Sequence, residues 1–517
     1  MGAEPPHRPT VVVEGRGLTA AEVVAVARDG APVALSDRAV EAMARSRAIV
    51  DGLASSGEPV YGVSTGFGSL ATVFIPAERR EQLQRSLVRS HAAGMGPPVE
   101  DEVVRAMVLL RARSLAMGYS GGRPAVAEAL VALLNAGLTP VVPEHGSVGC
   151  SGDLAPLAHV GLVLMGEGEV ARDGEVVAAA DALPAAGIEP LTLTAKEGLA
   201  LINGTDGMLG MLVLALADLS MLLRAADVTA AMSVEGLLGT DRVFRPDLHA
   251  IRPHPGQVAS AANLLRLLDG SPIVASHREG DPRVQDAYSL RCAPQVAGAA
   301  RDTVDHARRV AEVELGSAID NPMVLPDGTV SSNGNFHGAP VAFVCDFLAI
   351  AVADVGSISE RRTDRMLDVA RSQGLPPFLA PDAGVDSGLM IAQYTAAALV
   401  AENKRLAVPA SVDSIPTSAM QEDHVSMGWG AARKLRRAVA NLARILAVEY
   451  LTAARAIDLR APLRPAAATG AALALLRERV PGPGPDRPVA PELAAAEELV
   501  RTGALVHAVR SVTGPLL

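Results

Sequence analysis

The region from Ala195 to about Leu475 constrains the fold more than any other feature of the sequence. It is rich in Ala, Leu, Val and Met, and its apolar residues recur at helical spacing with few strand-like alternations. Long helices with apolar faces have to bury those faces against one another. We therefore expect a mainly α fold, in which an elongated bundle of long helices lies beneath a loop-rich N-terminal region that carries the functional loops.

Changes in composition divide the chain into three predicted parts. These are residues 1–194, rich in loops; residues 195–475, the long-helix bundle; and residues 476–517, a linker followed by a helix. The first part has a strand-like run at Val11–Val13 and then short helices between Gly- and Pro-rich loops. Thr194 and Glu197 have the spacing of a capping box, which predicts a helix start there. After the linker PGPGPDRP, a last helix is expected from about Pro491 to Val509.

Charge and cysteine content argue against several classes of protein. The formal net charge is -11 and the pI is near 5.5, whereas surfaces that bind nucleic acid or anionic membranes need clustered Lys and Arg. The N-terminus lacks the basic segment and apolar run of a secretory signal. Three cysteines lie far apart with no CxxC pair, which predicts neither a zinc knuckle nor a disulfide framework. We expect a cytoplasmic protein that acts on a small molecule without a bound metal.

Two apolar stretches raise the question of a membrane span. They run from Gly207 to Leu223 and from Ala339 to Ile358. Asp218 interrupts the first stretch, and Asp346 and Asp354 interrupt the second. Because a charged side chain is costly inside a bilayer, both stretches are predicted to be buried helices.

The segment from Gly146 to His159, GSVGCSGDLAPLAH, carries the most distinctive chemistry in the sequence. Its first seven residues contain three glycines, which give the backbone unusual freedom. Asp153 is suited to cap the following helix, whose N-terminus favours negative charge nearby. The unhindered amide nitrogen of Gly152 could attack the carbonyl of Cys150, and loss of water from Ser151 would leave a methylidene-imidazolone. Such a ring is an electron sink made without any added cofactor.

Two other interpretations of this loop stay open. Ser-Gly-Asp is also an ordinary turn followed by a helix cap, which is the commoner meaning of such a short pattern. Alternatively, Cys150 is a thiol nucleophile with His145 or His159 as its base, although the local spacing matches no nucleophile motif. Segments elsewhere in the chain have to decide between these interpretations.

Six further segments match one known family in their amino-acid sequence and in their order along the chain. They are YGVSTGFG (61–68), LVRSHAAG (87–94), LINGT (201–205), VQDAYSLRC (284–292), GNFHG (334–338) and SIPTSAMQEDHVSMG (414–428). With these segments, the chain resembles the aromatic amino acid ammonia-lyase family over nearly its whole length. The resemblance implies a methylidene-imidazolone formed from Cys150, Ser151 and Gly152, in which Ser151 becomes dehydroalanine, and no diffusible cofactor. It also implies a homotetramer whose active sites draw residues from several subunits.

The chain departs from the family pattern at the first ring residue, which is usually Ala and is Cys150 here. Ring closure uses only the backbone carbonyl at this position, so we expect the small thiol side chain to be tolerated. The substitution bears on the surroundings of the ring and on its sensitivity to thiol reagents.

The resemblance implies catalytic or binding roles for four residues of two segments. Tyr61 resembles the family's proposed base, for which its pKa would have to be lowered; alternatively, it is an aromatic anchor of its glycine-rich loop. Asp281-Pro282 looks like a helix start, and Gln285, Tyr288 and Arg291 would share one face of that helix. By resemblance, Arg291 pairs with the substrate carboxylate, while Tyr288 and Gln285 contact the ring or the substrate. Taken alone, Arg291 is an ordinary surface charge.

The resemblance places four more residues around the substrate. Asn203 would lie beside the substrate and the ring, whereas the simpler interpretation is a cap or kink residue. Phe336 matches a pocket wall and is otherwise a core residue. His91, in the pair Ser90-His91, matches the histidine-specific group and is otherwise a partly buried core histidine. Glu422 could hydrogen-bond an imidazole, whereas against a benzene ring it would be desolvated without a partner; alternatively, it is an exposed acid at a helix start.

Together, these residues imply the non-oxidative deamination of L-histidine to trans-urocanate and ammonia. A second hypothesis keeps the ring but takes tyrosine or phenylalanine as substrate, as a lyase or as a 2,3-aminomutase. A third hypothesis is a non-catalytic helical scaffold that never forms the ring. Product analysis separates the first two, and the mass of the intact chain tests the third.

Overall fold

The computed structural model describes residues 8–56 and 60–517. The expected mainly α fold is confirmed. Residues 1–7, on which part of the expectation about the N-terminus depends, lie outside the described residues. The helices are α1 (Ala20–Asp29), α2 (Asp37–Ser56), α3 (Arg80–His91), α4 (Asp101–Ala116), α5 (Pro124–Asn135), α6 (Leu154–Leu164), α7 (Ala179–Ala185), α8 (Glu197–Ile202), α9 (Asp206–Gly236), α10 (Pro246–Ala250), α11 (Pro255–Leu267), α12 (Pro272–Ala275), α13 (Tyr288–Arg291), α14 (Ala293–Leu315), α15 (Ala339–Leu367), α16 (Met390–Leu406), α17 (Gly428–Asp458), α18 (Ala467–Arg477), α19 (Ala490–Arg501) and α20 (Ala504–Thr513).

The strands are short and belong to small separate sheets. They are β1 (Val11–Val13), β2 (Val33–Leu35), β3 (Met95–Pro98), β4 (Thr139–Pro140), β5 (Pro143–His145), β6 (Glu169–Arg172), β7 (Glu175–Ala178), β8 (Met323–Val324) and β9 (Val330–Ser331). The pair β1–β2 is parallel, with Val11 opposite Val33, and confirms the predicted early strand. The pairs β3–β5 and β8–β9 and the three-stranded sheet β4–β6–β7 are antiparallel.

The chain folds into two compact units, each made from three segments. The first unit contains the described residues up to Leu214 together with Arg308–Cys345 and Ala410–Arg433, and the second contains Ala215–Ala307, Asp346–Pro409 and Lys434–Leu517. The chain passes from one unit to the other at five points: four fall within the long helices α9, α14, α15 and α17, and the fifth falls between Pro409 and Ala410. The three-part division drawn from composition stays a prediction.

Helix α4 is the central helix of the first unit and packs against α1, α2 and α5. From Val103 to Ala116 it is buried except at Arg105, which is partly buried. Each of its two buried arginines donates to a carbonyl group: Arg111 to that of Ile319 at 2.9 Å, and Arg113 to that of Ser317. Burial of such charged groups is tolerated because the planar guanidinium finds several acceptors.

In the second unit, a buried carboxylate joins three helices. Glu449 of α17 accepts hydrogen bonds from the Ser233 hydroxyl of α9 at 2.7 Å and from the Ser359 hydroxyl of α15 at 2.6 Å. The guanidinium of Arg362 also pairs with it. The charge of Glu449 is therefore matched by donors from every helix around it, as a buried carboxylate requires.

Three helix boundaries differ from those predicted. At Thr194, the Glu197 carboxylate accepts the backbone N–H as in a capping box, but the Thr194 hydroxyl has no partner among the described residues. Lys196 adopts φ +72°, so α8 begins only at Glu197. The last helix is two helices, α19 and α20, because Gly503 adopts φ +78° between them.

The predicted helix from Asp281 is also wrong at its start. The Asp281 carboxylate accepts the backbone N–H of Arg283 at 2.9 Å and pairs with its guanidinium at 2.7 Å, which makes a tight turn instead of a cap. Helical structure begins at Tyr288, so Gln285 precedes the helix that was expected to carry it.

Two helical regions have the length and composition of a membrane span, Glu197–Gly236 and Ala339–Leu367. In their most apolar windows, 72% and 56% of the residues are buried inside the protein. This agrees with the expectation of buried helices, since the core helices of a globular protein pass the same test of length and composition.

Candidate active site

A cavity of about 800 Å³ lies in the first unit. Four segments that are far apart in sequence line it: the loop after Tyr61, helix α3, the loop before α6, and the loop that carries Glu422. The end of α8 contributes as well. Seven of the residues singled out in the sequence lie on this cavity: Tyr61, His91, Cys150, Ser151, Gly152, Asn203 and Glu422.

The Cys-Ser-Gly loop reverses direction sharply. Ser151 and Gly152 adopt φ +47° and +78°, in the left-handed region that side chains disfavour. A Cβ atom at Gly152 would lie 2.1 Å from the carbonyl oxygen of Gly204, so no other residue fits there. The Ser426 hydroxyl holds the loop from outside by donating to the Gly149 carbonyl at 2.7 Å. A strained, reversed backbone with an unhindered glycine amide fits a tripeptide that closes into a ring.

Asp153 occupies the position before α6, but its side chain caps a different helix. The carboxylate accepts the backbone N–H groups of Gly207 and Met208, both at 3.0 Å, in the first turn of α9. It also accepts the Ser147 hydroxyl at 3.0 Å. Burial raises the pKa of Asp153 to about 7, against these hydrogen bonds, which lower it. The prediction of an α6 cap is therefore wrong at the level of the side chain, and the loop is tied to α9 instead.

The Cys150 side chain does not have the contacts of a thiol nucleophile. Its Sγ atom lies 4.0 Å from the Thr417 hydroxyl, and burial raises the pKa of the thiol. Among the described residues, neither His145 nor His159 is hydrogen-bonded to it; the His159 Nε2 atom accepts the Gly94 N–H at 3.1 Å. A protonated, buried thiol without a base is a poor nucleophile.

Glu422 is joined to the loop through Thr417. The Thr417 hydroxyl donates to Glu422 Oε2 at 3.4 Å, and the backbone N–H of Thr417 donates to the Glu422 carbonyl at 2.9 Å. The sequence analysis did not single out Thr417, although it lies in the same family segment as Glu422. The carboxylate is thus held at the wall of the cavity, which Cys150, Ser151 and Gly152 also line.

Tyr61 and His91 are both influenced by Glu422. Burial raises the pKa of Tyr61, as do the charges of Glu422 and Asp320, whereas the Gly68 N–H that donates to its hydroxyl at 3.3 Å lowers it. Burial lowers the pKa of His91, while the Leu87 carbonyl and Glu422 raise it. The His91 Nδ1 atom lies 2.9 Å from that carbonyl, which favours a proton on Nδ1.

Asn203 lies at the C-terminal end of α8, with φ -97° and ψ 75°. It is therefore a cap residue and a cavity residue at once. Its side chain is 2% exposed, and Nδ2 donates to Asp320 Oδ1 at 3.2 Å and to the Asn321 carbonyl at 2.8 Å. Asp320 forms a buried ion pair with Lys196. Sequence analysis missed this pair; the only signal was a rare lysine, one of three in the chain, beside an apolar helix.

The remaining predicted residues do not line this cavity. Gln285, Tyr288 and Arg291 lie in the second unit, where the Arg291 guanidinium stacks 4.5 Å from the centre of the Tyr288 ring. Tyr288 is 70% exposed and Gln285 is exposed as well. Phe336 is half-buried in the first unit, and the Gly338 N–H of its loop donates to the Gly149 carbonyl, next to the Cys-Ser-Gly tripeptide, at 3.2 Å.

Comparison with known proteins connects this geometry to one family. The profile of the family "Aromatic amino acid lyase" matches residues 18–478. A histidine ammonia-lyase of Streptomyces avermitilis is 66% identical, over 98% of this chain and 99% of its own. The crystal structure of a tyrosine aminomutase from Streptomyces globisporus superimposes with a TM-score of 0.93 at 40% identity, over 98% of this chain and 100% of the other. A histidine ammonia-lyase from Trypanosoma cruzi superimposes with a TM-score of 0.89 at 41% identity, over 98% and 96%. The chain therefore belongs to the aromatic amino acid lyase family.

Proposed function

We propose that this protein removes ammonia from L-histidine and releases trans-urocanate without oxidation. The observation that carries the proposal is the Glu422 carboxylate, which lies on the same cavity as Cys150, Ser151 and Gly152. A carboxylate pairs well with an imidazole N–H and poorly with a benzene or phenol ring. The name of the 66% identical relative supports the same substrate.

We further propose that Cys150, Ser151 and Gly152 form a methylidene-imidazolone. The amide nitrogen of Gly152 would bond to the carbonyl carbon of Cys150, and Ser151 would become dehydroalanine, with the loss of two waters. The reversed backbone supports this, because ring closure needs a bent chain. The lack of room for a Cβ atom at position 152 also supports it, because it requires glycine there, and the amide nitrogen of glycine is unhindered. The ring supplies an electron-poor carbon that makes the amino group easier to expel, and no diffusible cofactor is required.

The side chains around the cavity would orient the substrate and move its protons. Glu422 accepts the imidazole N–H, and Tyr61 is the proposed acceptor of the β-proton. Because burial raises the pKa of Tyr61, this role needs a cation close to the phenol. The ammonium group of the substrate is such a cation, and an opposite charge within a few ångströms favours the phenolate.

We also propose a cytoplasmic homotetramer in which Gln285, Tyr288 and Arg291 complete the cavity of another subunit. Their exposure supports this, since Tyr288 and Gln285 are open to contact from outside the chain. An apolar stripe on α15, formed by Phe343, Phe347 and Ile350, is also nearly half exposed. Exposed apolar residues at helical spacing are typical of a surface that another subunit covers.

Two measurements test the proposed function. Incubation of the purified protein with L-histidine should produce a conjugated acid that absorbs in the ultraviolet. Mass spectrometry of the peptide from Gly146 to His159 should show the loss of two waters. An unmodified peptide would leave only the non-catalytic scaffold.

Product analysis separates the proposed lyase from the alternatives within the family. A β-amino acid product would identify an aminomutase, and turnover of tyrosine or phenylalanine in place of histidine would reassign the substrate. A modified chain that leaves histidine unchanged would contradict the proposed substrate while leaving the ring in place.

A further inference from the structure

The side-chain amide of Asn203 is saturated at one end and unpaired at the other. Its Nδ2 atom donates to Asp320 Oδ1 and to the carbonyl oxygen of Asn321. Its Oδ1 atom is buried and receives no hydrogen bond from any described residue. A buried amide oxygen is costly unless something supplies a donor. Since Asn203 lines the cavity, the donor is expected to come from whatever binds there.

The neighbouring acceptors determine which way this amide points. Turning it over would place Oδ1 against the Asp320 carboxylate and the Asn321 carbonyl, so that three acceptors would meet without a proton between them. Asp320 itself cannot turn to relieve this, because its Oδ1 atom also accepts the Asn321 N–H at 2.7 Å. The free oxygen of Asn203 is therefore a consequence of the Asn321 carbonyl and of the charge on Asp320.

Lys196 holds that charge in place. Its Nζ atom lies 2.8 Å from Asp320 Oδ2, and the side chains of the pair are 0% and 1% exposed. Lys196 also adopts the left-handed φ of +72°, which is strained for a residue with a side chain. A buried ion pair adds little net stability compared with apolar residues of the same size. Stability alone therefore does not account for this pair.

We propose that Lys196 and Asp320 are positioning residues that keep Asn203 Oδ1 available to accept a hydrogen bond from the ammonium group of the amino acid substrate. The inference depends on the proposed function and assigns a partner to the ammonium group of histidine, which Glu422 does not contact. The ammonium is the best donor the substrate offers, because its carboxylate has no proton and its imidazole N–H is taken by Glu422. A hydrogen bond to a charged donor is also the strongest that a neutral amide oxygen can make.

The variant Asp320→Asn tests the proposal. The new amide has to give its oxygen to Lys196, which leaves its N–H groups facing the Nδ2 donor of Asn203. Because two donors cannot share this contact, the Asn203 amide shifts away and its Oδ1 atom loses its position at the cavity. Loss of one hydrogen bond to a charged group should lower kcat/KM for L-histidine about 10- to 150-fold. The inhibition constant of trans-urocanate should stay unchanged, because this product has no ammonium group. A general disturbance of the cavity would weaken both ligands.

A double variant adds a rescue test. With Lys196→Met present as well, nothing draws the new amide oxygen away, and it can turn back toward Asn203. The double variant is therefore expected to regain part of the kcat/KM lost in Asp320→Asn. A purely structural role predicts that removing the second residue makes the protein worse.

The chain offers a closely matched control in the second unit. Asp227 is buried, pairs with Arg301 at 2.5 Å and accepts the Asn263 amide at 2.8 Å, but does not line the cavity. Asp227→Asn is expected to lower the unfolding temperature without changing the ratio between the KM of histidine and the inhibition constant of urocanate. If Asp320→Asn does not fold, Asn203→Ala takes its place, with the same selective loss expected.

The outcomes separate this inference from the proposed function. Equal weakening of histidine and urocanate, or an unchanged kcat/KM in a folded variant of an active enzyme, overturns the inference and leaves the proposed function standing. Wild-type protein that carries the ring and does not act on histidine overturns both.

Discussion

Glu422→Gln is the substitution that most directly tests the proposed substrate. The change keeps the size of the side chain and removes its charge. The backbone of Glu422 is paired with Thr417 in both directions, at 2.9 and 3.4 Å, and these bonds do not involve the side chain. The Thr417 hydroxyl can still donate to the amide oxygen of the variant. The loop is therefore expected to keep its conformation, so that the effect reports on the lost carboxylate.

The expected effect follows from the hydrogen bond that is lost. A hydrogen bond to a charged group contributes about 1.5–3 kcal/mol, which corresponds to a fall of about 10- to 150-fold in kcat/KM for histidine. The variant should also change the pH dependence. Glu422 raises the pKa of Tyr61, so its removal lowers that pKa and shifts the activity that depends on the Tyr61 phenolate to lower pH.

The assay is the initial rate of urocanate formation across a range of pH, measured for the wild type, for Glu422→Gln and for the control variant Asp423→Asn. Asp423 is the neighbouring acid; it is exposed and does not line the cavity, so its substitution is expected to leave the rate near that of the wild type. An unaffected rate in Glu422→Gln would refute the imidazole–carboxylate pairing.

Three further predictions concern the loop. Gly152→Ala is expected to prevent the loss of two waters, which the intact mass measures. It should also destabilise the chain by more than Gly174→Ala, as measured by urea denaturation, because Gly174 has a similar positive φ but open space around it. A Gly152→Ala protein that carries the ring would contradict the steric argument. Asp153 has a folded pKa of about 7, well above its ordinary value, so its contribution to stability is full below about pH 4 and is lost as the pH rises to about 7. In Asp153→Asn that part of the pH dependence should disappear from the free energy of unfolding, and an unchanged pH slope would show that Asp153 is not its source. Cys150→Ala should keep the ring and the activity. In the wild type, the Cys150 thiol should be alkylated more slowly than that of the partly exposed Cys292, because Cys150 is buried and its pKa is raised. Fast loss of activity on alkylation would contradict this.

Local sequence patterns predicted some boundaries and failed at others. The strand Val11–Val13 and the helical stripe that ends at His91 form as expected, because both depend on side chains close together in sequence. The predicted helix from Asp281 starts late, because that carboxylate binds Arg283 instead of capping a helix. Neighbouring residues can pair in more than one way, and the pattern of a helix start does not determine which pairing forms.

The candidate site shows the same division. The types of residue at Tyr61, Glu422 and the Cys-Ser-Gly loop indicated the chemistry, since that chemistry depends on what the side chains and the tripeptide are. The roles of Lys196 and Asp320 could not be predicted in this way. They lie 124 positions apart in sequence, and neither belongs to a motif that announces a function.

By itself, the sequence determined that the chain is mainly helical and that it belongs with the aromatic amino acid lyases, and it pointed to the tripeptide proposed to close into a ring. These conclusions depend on periodicity and on short segments, which are properties of neighbouring residues. Only the tertiary structure decided that Asp153 caps α9, that the Asn203 amide points one way, and that Gly152 has no room for a side chain. Each of these depends on a contact between residues distant in sequence, and such contacts exist only once the chain has folded.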